Sequence, residues 1–137
     1  MKFEYEYLYK AVNPKTGESF SLIMPSMNTE NMNKFLEEFR EFLVGKEAIL
    51  IMDNASFHKS KNLKIPEGIN IEYIPPYSPE LNPVERVFQE IKKHMKNLIF
   101  KDMNELMDKL CEVLRNLSPE KLKKLTFYPY IKEAILG

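Results

Sequence analysis

The chain has no tryptophan, a single cysteine, two histidines and four glycines, and its twenty lysines and arginines are balanced by twenty aspartates and glutamates. One thiol cannot close an intramolecular disulfide. Cys111 sits inside an apolar helical pattern with no second Cys or His at metal-ligand spacing, so it reads as a small buried hydrophobe rather than a nucleophile or zinc ligand. No apolar run approaches the roughly eighteen residues of a membrane span, and the first residues, Met1 to Glu6, contain no hydrophobic signal segment. The expectation is a soluble, intracellular (cytoplasmic) chain with no membrane partner. Zero net charge also speaks against a self-sufficient nucleic-acid binder, which is usually basic overall.

What is present fits one compact α/β domain spanning residues 1–137, since 137 residues at 44% hydrophobic can bury a core but leave little room for a second domain. The charge is unevenly spread. Glu30, Glu37, Glu38, Glu41 and Glu47 crowd one stretch; Lys59, Lys61 and Lys64, then Lys92, Lys93 and Lys96, crowd two others. Such lysines serve equally as solvated helix faces or as phosphate contacts.

Along the chain, Phe3, Tyr5, Tyr7 and Tyr9 alternate with polar residues as a strand does, Asn13 to Gly17 make a turn, and Phe20 to Met24 return as a second strand. Asn28 or Thr29 can cap a helix whose apolar positions, Met32, Phe35, Leu36, Phe39, Phe42 and Leu43, repeat until Gly45. Ala48 to Met52 is a continuous apolar run, the pattern of a strand covered on both faces. Ile69, Ile71 and Tyr73 mark a further strand. A proline-rich loop, Pro75 to Pro79, leads to Asn82 as N-cap and Pro83 at the first position of a long helix with its apolar stripe running to Leu98. Two more helices follow, over Met103 to Leu117 and from Ser118-Pro119 to about Leu125, and the segment Phe127 to Ile131 is expected to pack back on the domain. The eight methionines read as core filling.

Two carboxylates stand at the edges of regular elements. Asp53 ends the buried strand, where open α/β sheets place their ligand sites, although an Asp-Asn pair also starts turns. Glu85 lies one turn into the long helix, where it can equally close a capping box on the Asn82 amide. Neither is specific alone.

Together, the run Met52-Asp53-Asn54-Ala55-Ser56-Phe57-His58-Lys59 and the run Pro75-Pro76-Tyr77-Ser78-Pro79-Glu80-Leu81-Asn82-Pro83-Val84-Glu85-Arg86 resemble a family signature. It is similar to that of the DDE transposases of mariner-type and related bacterial insertion sequences. In that family a strand ends in Asp-Asn with a His shortly after, and a Ser-Pro-x-Leu-Asn-Pro-(Ile/Val)-Glu segment opens the helix carrying the last acid. The opening Tyr7-Leu8-Tyr9-Lys10-Ala11-Val12-Asn13-Pro14-Lys15-Thr16-Gly17-Glu18 resembles the family's preceding hairpin, and Leu125 to Tyr130 its C-terminal segment, so the likeness spans nearly the whole chain.

The resemblance implies a ribonuclease H-like mixed sheet with flanking helices. It implies three carboxylates that bind two Mg²⁺ or Mn²⁺ ions to cut and rejoin DNA, with Asp53 and Glu85 as the second and third. Hard divalent cations do prefer oxygen ligands, and a pair can stabilise both attacking and leaving oxygens of a phosphoryl displacement. The implied partners are transposon ends and target DNA. Asn54 and His58 become candidate supports for Asp53, and Lys59, Lys61, Arg86 and Lys93 candidate DNA contacts; capping, surface placement or pairing with Glu90 account for several of them equally well.

The family's first Asp lies on a central strand upstream of this hairpin, and the only early acids here, Glu4 and Glu6, alternate with Phe3, Tyr5 and Tyr7 on the expected exposed face. The expectation is therefore the C-terminal part of the catalytic domain, without its first strand. It either becomes an enzyme with the missing N-terminal part or is a non-catalytic remnant, a DNA-binding or oligomerisation module. An exposed strand edge has to be covered in a soluble protein, either by direct pairing of the hairpin with the Ala48–Met52 strand or by a second chain, and a homodimer is the expected cover.

Overall fold

A computed structural model describes residues 1–3, 6–52, 61–73 and 82–127. The chain divides into two compact units, Met1–Ala11 with Phe20–Asn82 and Val12–Ser19 with Pro83–Gly137.

The first unit opens with a short strand, β1 (Lys2–Phe3), hydrogen-bonded to β2 (Glu6–Val12), which pairs in turn with β3 (Ser19–Met24). The single N-terminal strand expected from alternation is thus two strands. Lys2 pairs with Tyr7 and Phe3 with Glu6 in antiparallel register, and Leu8 and Met1 exchange backbone hydrogen bonds at 2.7 and 3.1 Å. Directly opposite residues share a face, so Phe3 falls on the side of Glu6 and Lys2 on that of Tyr7, and the alternation expected to keep Phe3 and Tyr7 on one face does not hold.

Helix α1 (Thr29–Phe42) starts where Asn28 accepts a hydrogen bond from the Asn31 amide at 2.9 Å. Its stripe Met32, Phe35, Leu36 and Phe39 is buried in a core shared with Tyr9, Met24 and Met52. Phe20 lies 5.5 Å from Phe35 and 5.1 Å from Phe42, ring centre to ring centre, so one hairpin aromatic ties down about two turns of the helix. Each large side chain buried here contributes about 1.5–3 kcal/mol.

Strand β4 (Ala48–Met52) and β5 (Ile69–Tyr73) form a separate parallel pair, in register from Ala48 opposite Ile69 to Met52 opposite Tyr73. Only one face is covered. Ala48, Leu50, Met52, Ile69, Ile71 and Tyr73 turn to the core, whereas Ile49 and Ile51 remain 69% and 50% exposed. The expectation of two covered faces is corrected for this chain.

In the second unit, α2 (Val84–Met95) packs against α3 (Met103–Arg115) and α4 (Pro119–Thr126). Asp102 caps α3 through the Glu105 amide and Ser118 caps α4 through the Lys121 amide, with Pro119 at the first helical position. Val87, Ile91, Leu106, Leu110, Val113 and Leu122 are buried. Thr126, also buried, donates to the Leu122 carbonyl at 2.7 Å. Helix α2 stops at Met95, because Lys96 is extended and Asn97 adopts φ 63°. Leu98 is consequently exposed rather than part of the buried stripe.

The hairpin tip belongs to this unit. Gly17, at φ +80°, lies so close to Pro119 that a Cβ there would overlap the Pro119 carbonyl. The architecture is mixed α/β, with antiparallel and parallel pairs and, among the described residues, four helices; it is compatible with a ribonuclease H-like fold. Of the C-terminal segment expected to pack back, Phe127 is half-buried and Tyr128 to Ile131 lie outside the described residues.

Candidate active site

Because β4 and β5 are parallel, both C-terminal ends open on the same side, the side on which open α/β sheets gather their ligand groups. Met52, the last residue of β4, is buried, and Asp53 is the next residue in the chain. Opposite Met52, Tyr73 ends β5, its hydroxyl pushed above the ordinary tyrosine range by burial.

Asp53, Asn54, His58 and Lys59 lie outside the described residues. Glu85 sits half-buried in the first turn of α2, where the positive end of the helix favours a carboxylate. Pro83 precedes Val84 in helical conformation, φ −58° and ψ −26°, as expected of a first helical position. Proline fixes φ near the helical value and so brings position 83 into line with the helix that follows. Glu85 forms no ion pair with any described residue.

Lys61, Arg86 and Lys93 are all exposed. Glu90, on the same helix as Arg86 and Lys93, has its Oε1 3.1 Å from His94 Nε2 and 3.9 Å from Lys121 Nζ. Among the described residues, no three His, Cys, Asp or Glu side chains group closely enough to hold a metal ion. Glu85 is a hard oxygen donor of the type Mg²⁺ and Mn²⁺ accept.

Two residues that patterning did not flag hold the chain after the Asp53 segment. Asn33 accepts from the Lys64 amide at 2.7 Å and donates to the Asn62 carbonyl at 3.0 Å; one face further along α1, Arg40 donates to the Glu67 carbonyl at 3.3 Å. Asn33 and Arg40 stand two turns apart on one side of α1. The only sequence signal was their matching position beside the apolar stripe, which any solvated residue shares.

A profile of the DDE superfamily endonucleases matches residues 6–107. An uncharacterized protein of Sinorhizobium fredii (strain NBRC 101917 / NGR234) is 36% identical over 121 residues, covering 87% of this chain and 90% of that protein. The fold is mixed α/β and compatible with a ribonuclease H-like protein. The chain belongs to the DDE superfamily endonucleases.

No helix of the described residues is long and apolar enough to cross a membrane.

Proposed function

We propose that this chain is the C-terminal part of a single transposase catalytic domain that cleaves and joins DNA by metal-dependent phosphoryl transfer, with Asp53 and Glu85 as two of its metal-binding carboxylates. The observation that carries this reading is Glu85: a half-buried carboxylate at a helix start, with no ion-pair partner among the described residues, in the segment that matches the family. A carboxylate in that place is a hard oxygen donor of the kind divalent cations accept.

Two Mg²⁺ or Mn²⁺ ions, when bound, supply charge neutralisation at the phosphate and activate the attacking oxygen. The residues of this chain do the rest. Asp53 and Glu85 offer oxygen ligands, Asn54 and His58 orient Asp53 and its surroundings, and Lys59, Lys61, Arg86 and Lys93 neutralise backbone phosphates of the transposon end and target DNA.

Completion of the site requires a third carboxylate, which we assign to the missing N-terminal part of the transposase; a second copy of the chain is the other available partner. The surface open to either is β4, which among the described residues pairs only with β5 and leaves Ile49 and Ile51 bare. Two carboxylates alone bind Mg²⁺ weakly. The test is plasmid nicking with Mn²⁺ by the purified chain, alone and co-expressed with the segment encoded immediately upstream. Nicking by the pair only, lost in Glu85→Gln, is the expected result. No nicking by either preparation leaves a non-catalytic module as the function, and strong nicking by the chain alone means that another acid of its own completes the site.

A further inference from the structure

We propose that Asn33 is a positioning residue for the carboxylate site: by holding residues 62–64 against α1 it fixes the far end of the stretch that begins at Asp53, and so sets how tightly the site takes a divalent cation. This rests on the reading of Asp53 as a metal ligand and adds a residue from a helix that supplies no ligand.

Because β4 and β5 run parallel, the chain that leaves Met52 at one end of the pair has to return to the other end before Ile69. Five residues of strand make that return about 16 Å long. Asn33 receives the returning chain first. Its side-chain oxygen accepts from the Lys64 amide at 2.7 Å and its side-chain nitrogen donates to the Asn62 carbonyl at 3.0 Å. One side chain thus satisfies a donor and an acceptor of the same backbone stretch, as a neighbouring strand would. Leu63, between the two, packs on the core of this unit. About 10 Å further along α1, Arg40 donates to the Glu67 carbonyl at 3.3 Å. The guanidinium comes this close because position 68 is glycine, where a Cβ would overlap Arg40 Nη1. The Gly68 carbonyl then accepts from the Ala48 amide at 2.9 Å, where the parallel pair begins. The returning chain follows α1 from Asn33 to Arg40 and enters β5 already aligned.

The two contacts govern different things. Positions 53–61 lie between buried Met52 and Asn62, and they include Asp53, Asn54, His58, Lys59 and Lys61. His58 and Lys59 stand nearer in sequence to the Asn33 contact than to Met52. Without Asn33 the next hydrogen bond from an α1 side chain is the one at Glu67, and the interval becomes 53–66. A longer interval has more conformations to lose when a cation gathers its ligands. Lengthening it by about half weakens binding about twofold, and the lost direction of two hydrogen bonds brings the expected effect to about fivefold. Arg40 acts beyond the interval, so its removal costs stability and leaves the interval as it is.

The test uses the chain co-expressed with the segment encoded immediately upstream, with free Mn²⁺ followed by electron paramagnetic resonance, nicking followed on plasmid, and hydrogen exchange read at Lys64. In Asn33→Ala the Lys64 amide is expected to lose its protection, while the Mn²⁺ Kd and the Mn²⁺ concentration for half-maximal nicking both rise about fivefold. The maximal rate at saturating Mn²⁺ changes little. Asn33→Asp still accepts from Lys64 but no longer donates to Asn62, and it should fall between the two. Arg40→Met is expected to lower the urea midpoint with Mn²⁺ affinity unchanged. An unaltered Mn²⁺ affinity in folded Asn33→Ala, or an equal loss in Arg40→Met, would overturn the positioning role and leave Asn33 a residue of stability alone. Should Asn33→Ala fail to fold, Asn33→Asp carries the same comparison. If the unaltered pair binds no Mn²⁺, the metal reading itself fails and the inference with it.

Discussion

The ammonium of Lys10 donates to Ser21 Oγ at 2.8 Å across the hairpin, pairing a largely buried cation with a neutral hydroxyl. Burial lowers its pKa from 10.5 to about 8. The unfolded chain holds that proton up to about pH 10.5, so below pH 8 both states carry the charge and the folded state bears the full desolvation cost, about 3 kcal/mol. Between pH 8 and 10.5 the folded state has released the proton, and the cost fades as pH rises. Lys10→Met should therefore stabilise the chain most at pH 7 and least at pH 10. Urea unfolding of both proteins at the two pH values measures this, and a gain equal at both would remove the electrostatic explanation.

Gly17 and Gly45 have nearly the same backbone, φ +80° and +82°, but opposite surroundings. A Cβ at position 17 meets the Pro119 carbonyl, while at position 45 it meets open space. Gly45→Ala should cost about 1 kcal/mol, the price of the left-handed conformation alone. Gly17→Ala should cost at least about 3 kcal/mol, because backbone must shift as well. Thermal melts of the two variants separate the terms, and equal shifts would show that the tip does not rest on Pro119.

Val44 follows α1 at φ 49° with 84% of its surface exposed. A β-branched residue in this region is strained and here makes little packing in return. Val44→Gly or Val44→Asn should raise stability by about 1 kcal/mol, read as a rise in the urea midpoint at constant slope. A fall in the midpoint would mean that the side chain packs more than its exposure indicates.

Ile49 and Ile51 project from β4 beside Asn70 and Glu72 of β5. The polar residues of β5 protect that strand from self-association, and β4 has no such protection. Light scattering should show mass rising with concentration in the unaltered chain and a constant monomer mass in Ile49→Lys/Ile51→Lys, with little change in melting temperature. Identical behaviour of the two proteins would rule out association through β4.

Much of this was legible from residue pattern because the elements are strongly periodic. Asn28 caps α1, Ala48–Met52 and Ile69–Tyr73 are strands, and Ser118-Pro119 starts α4, all as their local chemistry dictates. Patterning went astray where covering matters more than periodicity. Five apolar residues in a row signify a strand suited to two covered faces, and they cannot say whether this chain supplies both covers. Of the candidate site, Glu85 was singled out by its place in a motif, and it lies in the first turn of α2. The grip of Asn33 on residues 62–64 was invisible, since it joins a helix to a loop about thirty positions away.

The packing of Gly17 against Pro119 has a consequence for how the chain is made. At about 5–20 residues per second, the ribosome completes the hairpin strands seconds before the residue that receives their tip emerges. The hairpin must therefore wait, half-supported, while α1 and the parallel strands form, and its last contact closes only when α4 arrives. A contact between residues so distant in sequence slows the final step of folding. Shortening the chain before Pro119 should thus harm the hairpin at the opposite end, and limited proteolysis of nascent chains halted at increasing lengths would reveal protection of residues 13–18 appearing only after α4 is synthesised.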